Sequence, residues 1–249
     1  MLICIDGTGP ANTATYARNM SHSFVSTIYD HALFTPKQRR YFRGPDWKGL
    51  SLHVPIDSLT AELRKDSSSI LLVGYSRGGA IAIAMARRLA DHGVPVEALF
   101  LFDAVDRSFL LIADRIPDNV RHVYHAIRAS SVRSRPSFAN CGLIWEGHLG
   151  FQPQAFTTTH GGMGGVPWGA EKPKPTGVKE YATVHAQSYA KLALAPQRIA
   201  QVVVTKNPVD AIDELDLSRT TIDATQEAKG MNEVKTWMWN KLRTHRVLA

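Results

Sequence analysis

The sequence predicts an α/β fold with a mostly parallel central sheet and helices on both faces. Three observations carry that prediction. Short runs rich in Ile, Leu, Val and Phe recur along the chain, each closed by polar or glycine punctuation. Helix-patterned stretches alternate with them, which is the signature of a parallel sheet with crossover helices. A Gly-x-Ser-x-Gly motif, Gly74-Tyr75-Ser76-Arg77-Gly78, joins one such run to one such helix.

The elements follow in order. Residues 2–5, 70–73, 98–102 and, more weakly, 120–127 read as buried strands. Residues 56–65 place Ile56, Leu59 and Leu63 at helical spacing, and residues 77–91 are rich in Ala, Ile, Met and Leu with Gly93 as a stop signal just beyond. From about 147 to 177, Gly, Pro, Thr and single aromatics replace the periodic pattern. That stretch reads as a long active-site loop, with a strand before His160. Helical texture returns over 180–195, and a last helix covers about 224–247. Neither a repeat nor an inter-domain linker stands out, so one domain spanning 1–249 is the simplest organisation.

The 249 residues, 44% hydrophobic and 20% charged, suffice for a full core. Two cysteines, Cys4 and Cys141, make neither a disulfide framework nor a metal-binding spacing. The opening Met1-Leu2-Ile3-Cys4-Ile5-Asp6 lacks the basic region of a signal peptide, and no apolar run is long enough to span a membrane. A cytoplasmic location is the expectation. The net charge of +7 favours anionic partners, but no dense Lys/Arg block specifies nucleic acid.

The setting of Ser76 gives the motif its meaning. A strand directly before it and a helix directly after it are the context of a nucleophile elbow in the α/β-hydrolase fold. The sharp turn strains the serine backbone; Gly74 and Gly78 make room for it, and Gly79 and Ala80 allow the helix to pack closely on the sheet. The N–H of Arg77, at the start of that helix, is one candidate oxyanion donor. The loop Asp6-Gly7-Thr8-Gly9 after the first strand offers the second, from the N–H of Gly7 or Thr8. The competing reading of that loop is a tight turn with Thr8 or Asn12 as a helix cap.

A serine nucleophile needs a base, and the base an orienting acid, in the chain order Ser, Asp or Glu, His. Asp103 ends the run Leu99-Phe100-Leu101-Phe102 and is the first candidate acid; Asp106 is the competitor. His160 follows the β-favouring Ala155-Phe156-Thr157-Thr158-Thr159 and precedes a glycine-rich stretch, so it is the first candidate base, with His148 as the alternative. His122 and His125 fall in a strand, where packing or solvent exposure explains them, and His185 falls on a helix.

Taken together, these residues resemble the α/β-hydrolase domain family of the phospholipase effectors of bacterial type VI secretion and their uncharacterised relatives. The resemblance rests on Asp6-Gly7-Thr8, Gly74-Tyr75-Ser76-Arg77-Gly78, Phe102-Asp103-Ala104-Val105, Arg121-His122-Val123-Tyr124-His125-Ala126 and His160 before glycines. Tyr41-Phe42-Arg43-Gly44-Pro45 is similar to the segment ahead of the family's second helix. It implies ester hydrolysis through an acyl-enzyme, on a small ester or a lipid, without metal or organic cofactor. This chain has His160-Gly161-Gly162-Met163-Gly164-Gly165 where the family has His-Ser-Asp-Val-Gly-Gly. That departure motivates the rival expectation, a catalytically silent binding or interaction module on the same fold. The apolar stripe Val234, Trp237, Met238 and Leu242, flanked by Lys235, Lys241, Arg243 and Arg246, fits either a helix packed on the core or one lying on an anionic membrane.

Overall fold

β1 (Leu2–Ile5) opens the chain in a computed structural model that describes residues 1–45, 54–65, 68–106, 113–135, 138–166 and 220–249. The turn after β1 leads to α1 (Thr13–Met20), where Asn12 is the cap, its side chain accepting the Thr15 N–H at 3.0 Å. α2 (Phe24–His31) is capped in the same way by Ser23. There follow β2 (Arg39–Phe42), α3 (Ile56–Leu63), β3 (Leu71–Tyr75), α4 (Arg77–Ala90), β4 (Val96–Phe102) and the two-residue β5 (Arg115–Ile116). Then come β6 (Val120–Arg128), β7 (Ile144–Trp145), β8 (Gln154–Phe156), the single-turn α5 (His160–Met163) and α6 (Ala224–Thr244).

Six strands form one sheet in the order β2-β1-β3-β4-β6-β8, with every pair parallel; β5 and β7 pair separately. The sheet is covered on both faces, which is why β1 and β3 carry no charged residue and β4 only Glu97. Ile3, Ile5, Leu72, Leu99 and Leu101 face a core shared with α3 and α4. Their neighbours Leu2, Cys4, Leu71, Val73, Phe100 and Phe102 face the other core, shared with α1, α2 and α6. The alternation follows from the two-residue period of a strand. In α6, Val234, Met238 and Leu242 are fully buried at four-residue spacing, so the core occupies that apolar stripe. Among the described residues no helix is long and apolar enough to cross a membrane.

Three elements depart from the sequence expectations. β2, Arg39-Arg40-Tyr41-Phe42, is a half-buried edge strand whose two arginines break the apolar signature. The glycines after His160 wind into α5, capped by Thr159, rather than remaining a loop. The terminal helix stops at Thr244, short of 247, because Arg246 takes a left-handed backbone (φ 54°). The expected helix at 180–195, His185 and residues 167–177 of the expected loop lie outside the described residues.

The strand order reverses between β1 and β3, since the chain leaves β1 to one side and β3 to the other. A parallel sheet opens a crevice beyond the carboxyl ends of its strands at such a point. Residues 6–8 and Ser76 lie there. α4 must approach β1 closely to form it: a Cβ on Gly78 would fall 2.3 Å from the carbonyl oxygens of both Ile5 and Asp6. Gly78→Ala is therefore predicted to cost on the order of 3 kcal/mol through backbone displacement, lowering the melting temperature by roughly 10 °C. Gly93→Ala, at φ 69° with open space around it, should cost only about 1 kcal/mol. Thermal denaturation of the two variants, compared with the parent, checks the contrast.

Candidate active site

Ser76 sits between β3 and α4 with φ 55° and ψ −125°, a backbone that a non-glycine residue adopts only under constraint. The constraint is visible. The Ser76 N–H donates to the Phe102 carbonyl at 2.9 Å, and its own carbonyl accepts the N–H groups of Gly79 and Val105, each at 3.0 Å. The turn is tied both to the helix it starts and to the end of the neighbouring strand. The Ser76 side chain is thereby set at the carboxyl edge of the sheet.

His160 is 84 residues away in sequence, yet its Nε2 lies 2.9 Å from Ser76 Oγ. Its Nδ1 lies 2.6 Å from Asp103 Oδ2. Asp103 follows β4 in a left-handed conformation (φ 47°) and is fully buried. The structure thus brings Ser76, His160 and Asp103 into one line. The carboxylate that meets the imidazole belongs to Asp103 rather than Asp106. His148 does not reach this line: it lies in an exposed turn, stacked on Trp145 with ring centroids 5.4 Å apart.

The imidazole is fixed on all sides. The Ser134 Oγ accepts the His160 N–H at 2.7 Å, and the Tyr75 hydroxyl donates to the His160 carbonyl at 3.0 Å. The Phe138 ring meets it edge-on at 5.1 Å. Thr159, the cap of α5, donates its hydroxyl to the Glu227 carboxylate of α6, and Thr158 donates to the Glu227 carbonyl. Glu227 is an α6 side chain supporting the segment from which the histidine projects.

Electrostatics reinforce the arrangement. Burial alone would raise the Asp103 pKa, but the Arg128 guanidinium, together with hydrogen bonds from His160 and Asn140, holds it well below the usual carboxylate range. Burial lowers the His160 pKa; Asp103 opposes that shift, while Arg128 and Arg135 add to it. At neutral pH the pair is a neutral imidazole on an ionised carboxylate. A serine hydroxyl hydrogen-bonded to such an imidazole can pass its proton to it. Of the other strand histidines, His125 is buried with its pKa down to about 4, and His122 is half-exposed beside Glu97.

The Asp6-Gly7-Thr8 loop lies against the serine: a Cβ on Gly7 would sit 3.4 Å from Ser76 Cβ. One part of the expectation needs correcting. The Gly7 N–H donates to the Asp6 carboxylate at 2.8 Å, so it is engaged within the loop. Thr8 remains as the candidate donor, and its hydroxyl is buried without a hydrogen-bond partner among the described residues. Arg77 heads α4, so its N–H belongs to the first turn, where amides are directed out of the helix end. Among the described residues no group of three or more His, Cys, Asp or Glu side chains converges as a metal ion would require.

Sequence reasoning missed Arg128, Ser134, Asn140, Phe138 and Glu227. Arg128 carried a usable signal, a charged residue closing an otherwise strand-like run, because arginine is rarely buried without a partner. The others join the site through loop geometry that leaves no periodic trace.

The parallel sheet with helices on both faces is that of an α/β-hydrolase-like fold, and the line of Ser76, His160 and Asp103 lies at its carboxyl edge. Residues 56–117 match the model of the thioesterase domain, a family of that type, and the match points to ester hydrolysis. The matched segment contains Ser76 and Asp103 and ends before His160. No curated protein matches the chain.

Asp6 supplies a test of the loop's electrostatics. Burial raises its pKa to about 6, against hydrogen bonds from Ser23 (2.5 Å), Gly7 and Tyr41 (2.8 Å) that favour the charged form. A folded-state pKa raised above the unfolded one gives stability that is present in full at low pH and is lost as pH rises through about 6. The loss for this group is on the order of 3 kcal/mol. Asp6→Asn removes it, so the variant's melting temperature relative to the parent should climb between pH 4.5 and 7.5, roughly. A constant difference across that range would contradict the assignment.

Proposed function

We propose that this protein hydrolyses carboxylic esters or thioesters through an acyl-enzyme on Ser76, with His160 as general base and Asp103 as its orienting acid. The observation that carries the reading is the continuous line of contacts, 2.9 Å from Ser76 Oγ to His160 Nε2 and 2.6 Å from His160 Nδ1 to Asp103 Oδ2. His160 takes the hydroxyl proton as Ser76 Oγ attacks the acyl carbonyl. The oxyanion is met by the N–H groups of Arg77 and Thr8, with the unpartnered Thr8 hydroxyl as a further donor. The tetrahedral intermediate collapses, and His160 returns the proton to the departing thiol or alcohol. Water, activated by the same imidazole, then releases the acid and restores Ser76.

The thioesterase match favours small acyl thioesters as substrates, and the opening motifs' resemblance to phospholipase effectors adds lipid esters. The net charge of +7 suits an anionic acyl donor or an anionic lipid surface. Both substrate sources share the same acyl-transfer chemistry, so a panel of acyl thioesters, p-nitrophenyl esters and phospholipid vesicles discriminates between them.

A fluorophosphonate probe should label Ser76 in the folded protein and not in a denatured control. Ser76→Ala should abolish turnover, and His160→Ala should lower kcat by about 10³-fold. Asp103→Asn should fall steeply, while Asp106→Asn stays near the parent rate. Because the His160 pKa is lowered, the base stays neutral further into acid, and the acid limb of kcat/KM should lie below about pH 6.5. Absence of both labelling and turnover would replace the enzyme with the silent-module reading.

A further inference from the structure

We propose that Arg128 is a positioning residue for the acyl transfer assigned above, its one guanidinium fixing both the acid and the loop that holds the base. The inference rests on that assignment and extends it to a residue outside the Ser–His–Asp line.

Arg128 ends β6, beside β4, and is nearly buried. Its Nη1 donates to Asp103 Oδ2 at 2.5 Å, the same oxygen that receives His160 Nδ1 at 2.6 Å. Its main-chain N–H donates to Asp103 Oδ1 at 3.2 Å, where the Asn140 amide also donates at 2.7 Å. The rest of the fork turns the other way. Nε donates to the Ser134 carbonyl at 2.9 Å, and Nη2 to the carbonyls of Phe138 and Arg135. Ser134 and Phe138 are the two residues that hold the His160 main chain and ring from that side. A planar fork with fixed donor directions can grip a carboxylate and a folded loop at once; an ammonium cannot.

Two consequences follow. The first is geometric: without the fork, Asp103, Ser134 and Phe138 lose their common anchor, so the imidazole loses its aim at Ser76 Oγ. The second is electrostatic. The charged and titratable groups facing His160 are Asp103 after β4, Arg128 from β6 and Arg135 from the following loop. Ser76 and the rings of Tyr75 and Phe138 also line it, and Glu227 of α6 engages Thr159 instead. Arg128 opposes protonation of the imidazole, so its removal raises the His160 pKa.

The test uses the full chain, acyl p-nitrophenyl esters as probe substrates and fluorophosphonate titration to count active sites. Arg128→Gln is expected to lower kcat about 10- to 100-fold with KM within about 3-fold. The acid limb of its kcat/KM profile should move to higher pH. Arg128→Lys keeps the charge and loses the fork, so it should leave the limb at the parent position while kcat stays depressed by about 10-fold. A purely structural role would lower the titrated active fraction without moving the limb. Parent-like kcat and limb in Arg128→Gln overturn the proposal. Should that variant fail to fold, parent-like kcat in Arg128→Lys overturns it. Failure of the parent itself to label or turn over defeats the hydrolase reading instead, which keeps the two outcomes apart.

Discussion

The buried Asp103 carboxylate is the constraint around which this site is built. It accepts four hydrogen bonds, from His160, the Asn140 amide, and the side chain and main chain of Arg128. A carboxylate removed from water is costly unless its lone pairs are met and its charge is balanced. Here both conditions hold, and the groups that satisfy them belong to β6, the loop after it and α5. Satisfying one buried charge therefore draws β6, the loop after it and α5 to the end of β4 in a single arrangement. Such pairs contribute little net stability compared with an apolar replacement, but removing one partner leaves a stranded charge.

Ser76 depends on a second constraint, the close approach of α4 to the sheet. Its left-handed backbone persists because hydrogen bonds to Phe102, Gly79 and Val105 determine it from both sides. The same close approach brings the residue 6–8 loop from β1 against the serine, at the point where the strand order reverses. The serine, the imidazole and the loop thus reach one crevice by different routes. Sheet topology delivers Ser76 and Asp6-Gly7-Thr8; the buried ion pair delivers His160.

Much of this was legible in the sequence. The apolar runs of β1, β3 and β4 announced themselves because strands buried on both faces tolerate little else. The Gly-x-Ser-x-Gly motif located Ser76 because glycines are needed wherever backbone presses on backbone, as at Gly78. Asp103 was readable as a carboxylate closing an apolar run, and His160 as a histidine after a β-favouring segment. The illegible parts have common causes. β2 is an edge strand and carries charge. α5 is one turn long and half glycine, so its formation depends on the Thr159 cap and support from α6. Arg128, Ser134 and Asn140 act through three-dimensional convergence, and the engaged Gly7 N–H follows from the rotamer of Asp6. Neither leaves a pattern along the chain.

The hydrogen bond between His160 Nδ1 and Asp103 is the most direct object of measurement. Proton NMR in water, with nitrogen-labelled histidine, should show an exchangeable imidazole proton far downfield of the amides. That resonance should vanish in His160→Gln, in which His125 and every other histidine remain. Its absence from the parent protein, or its survival in His160→Gln, would contradict the account at its centre.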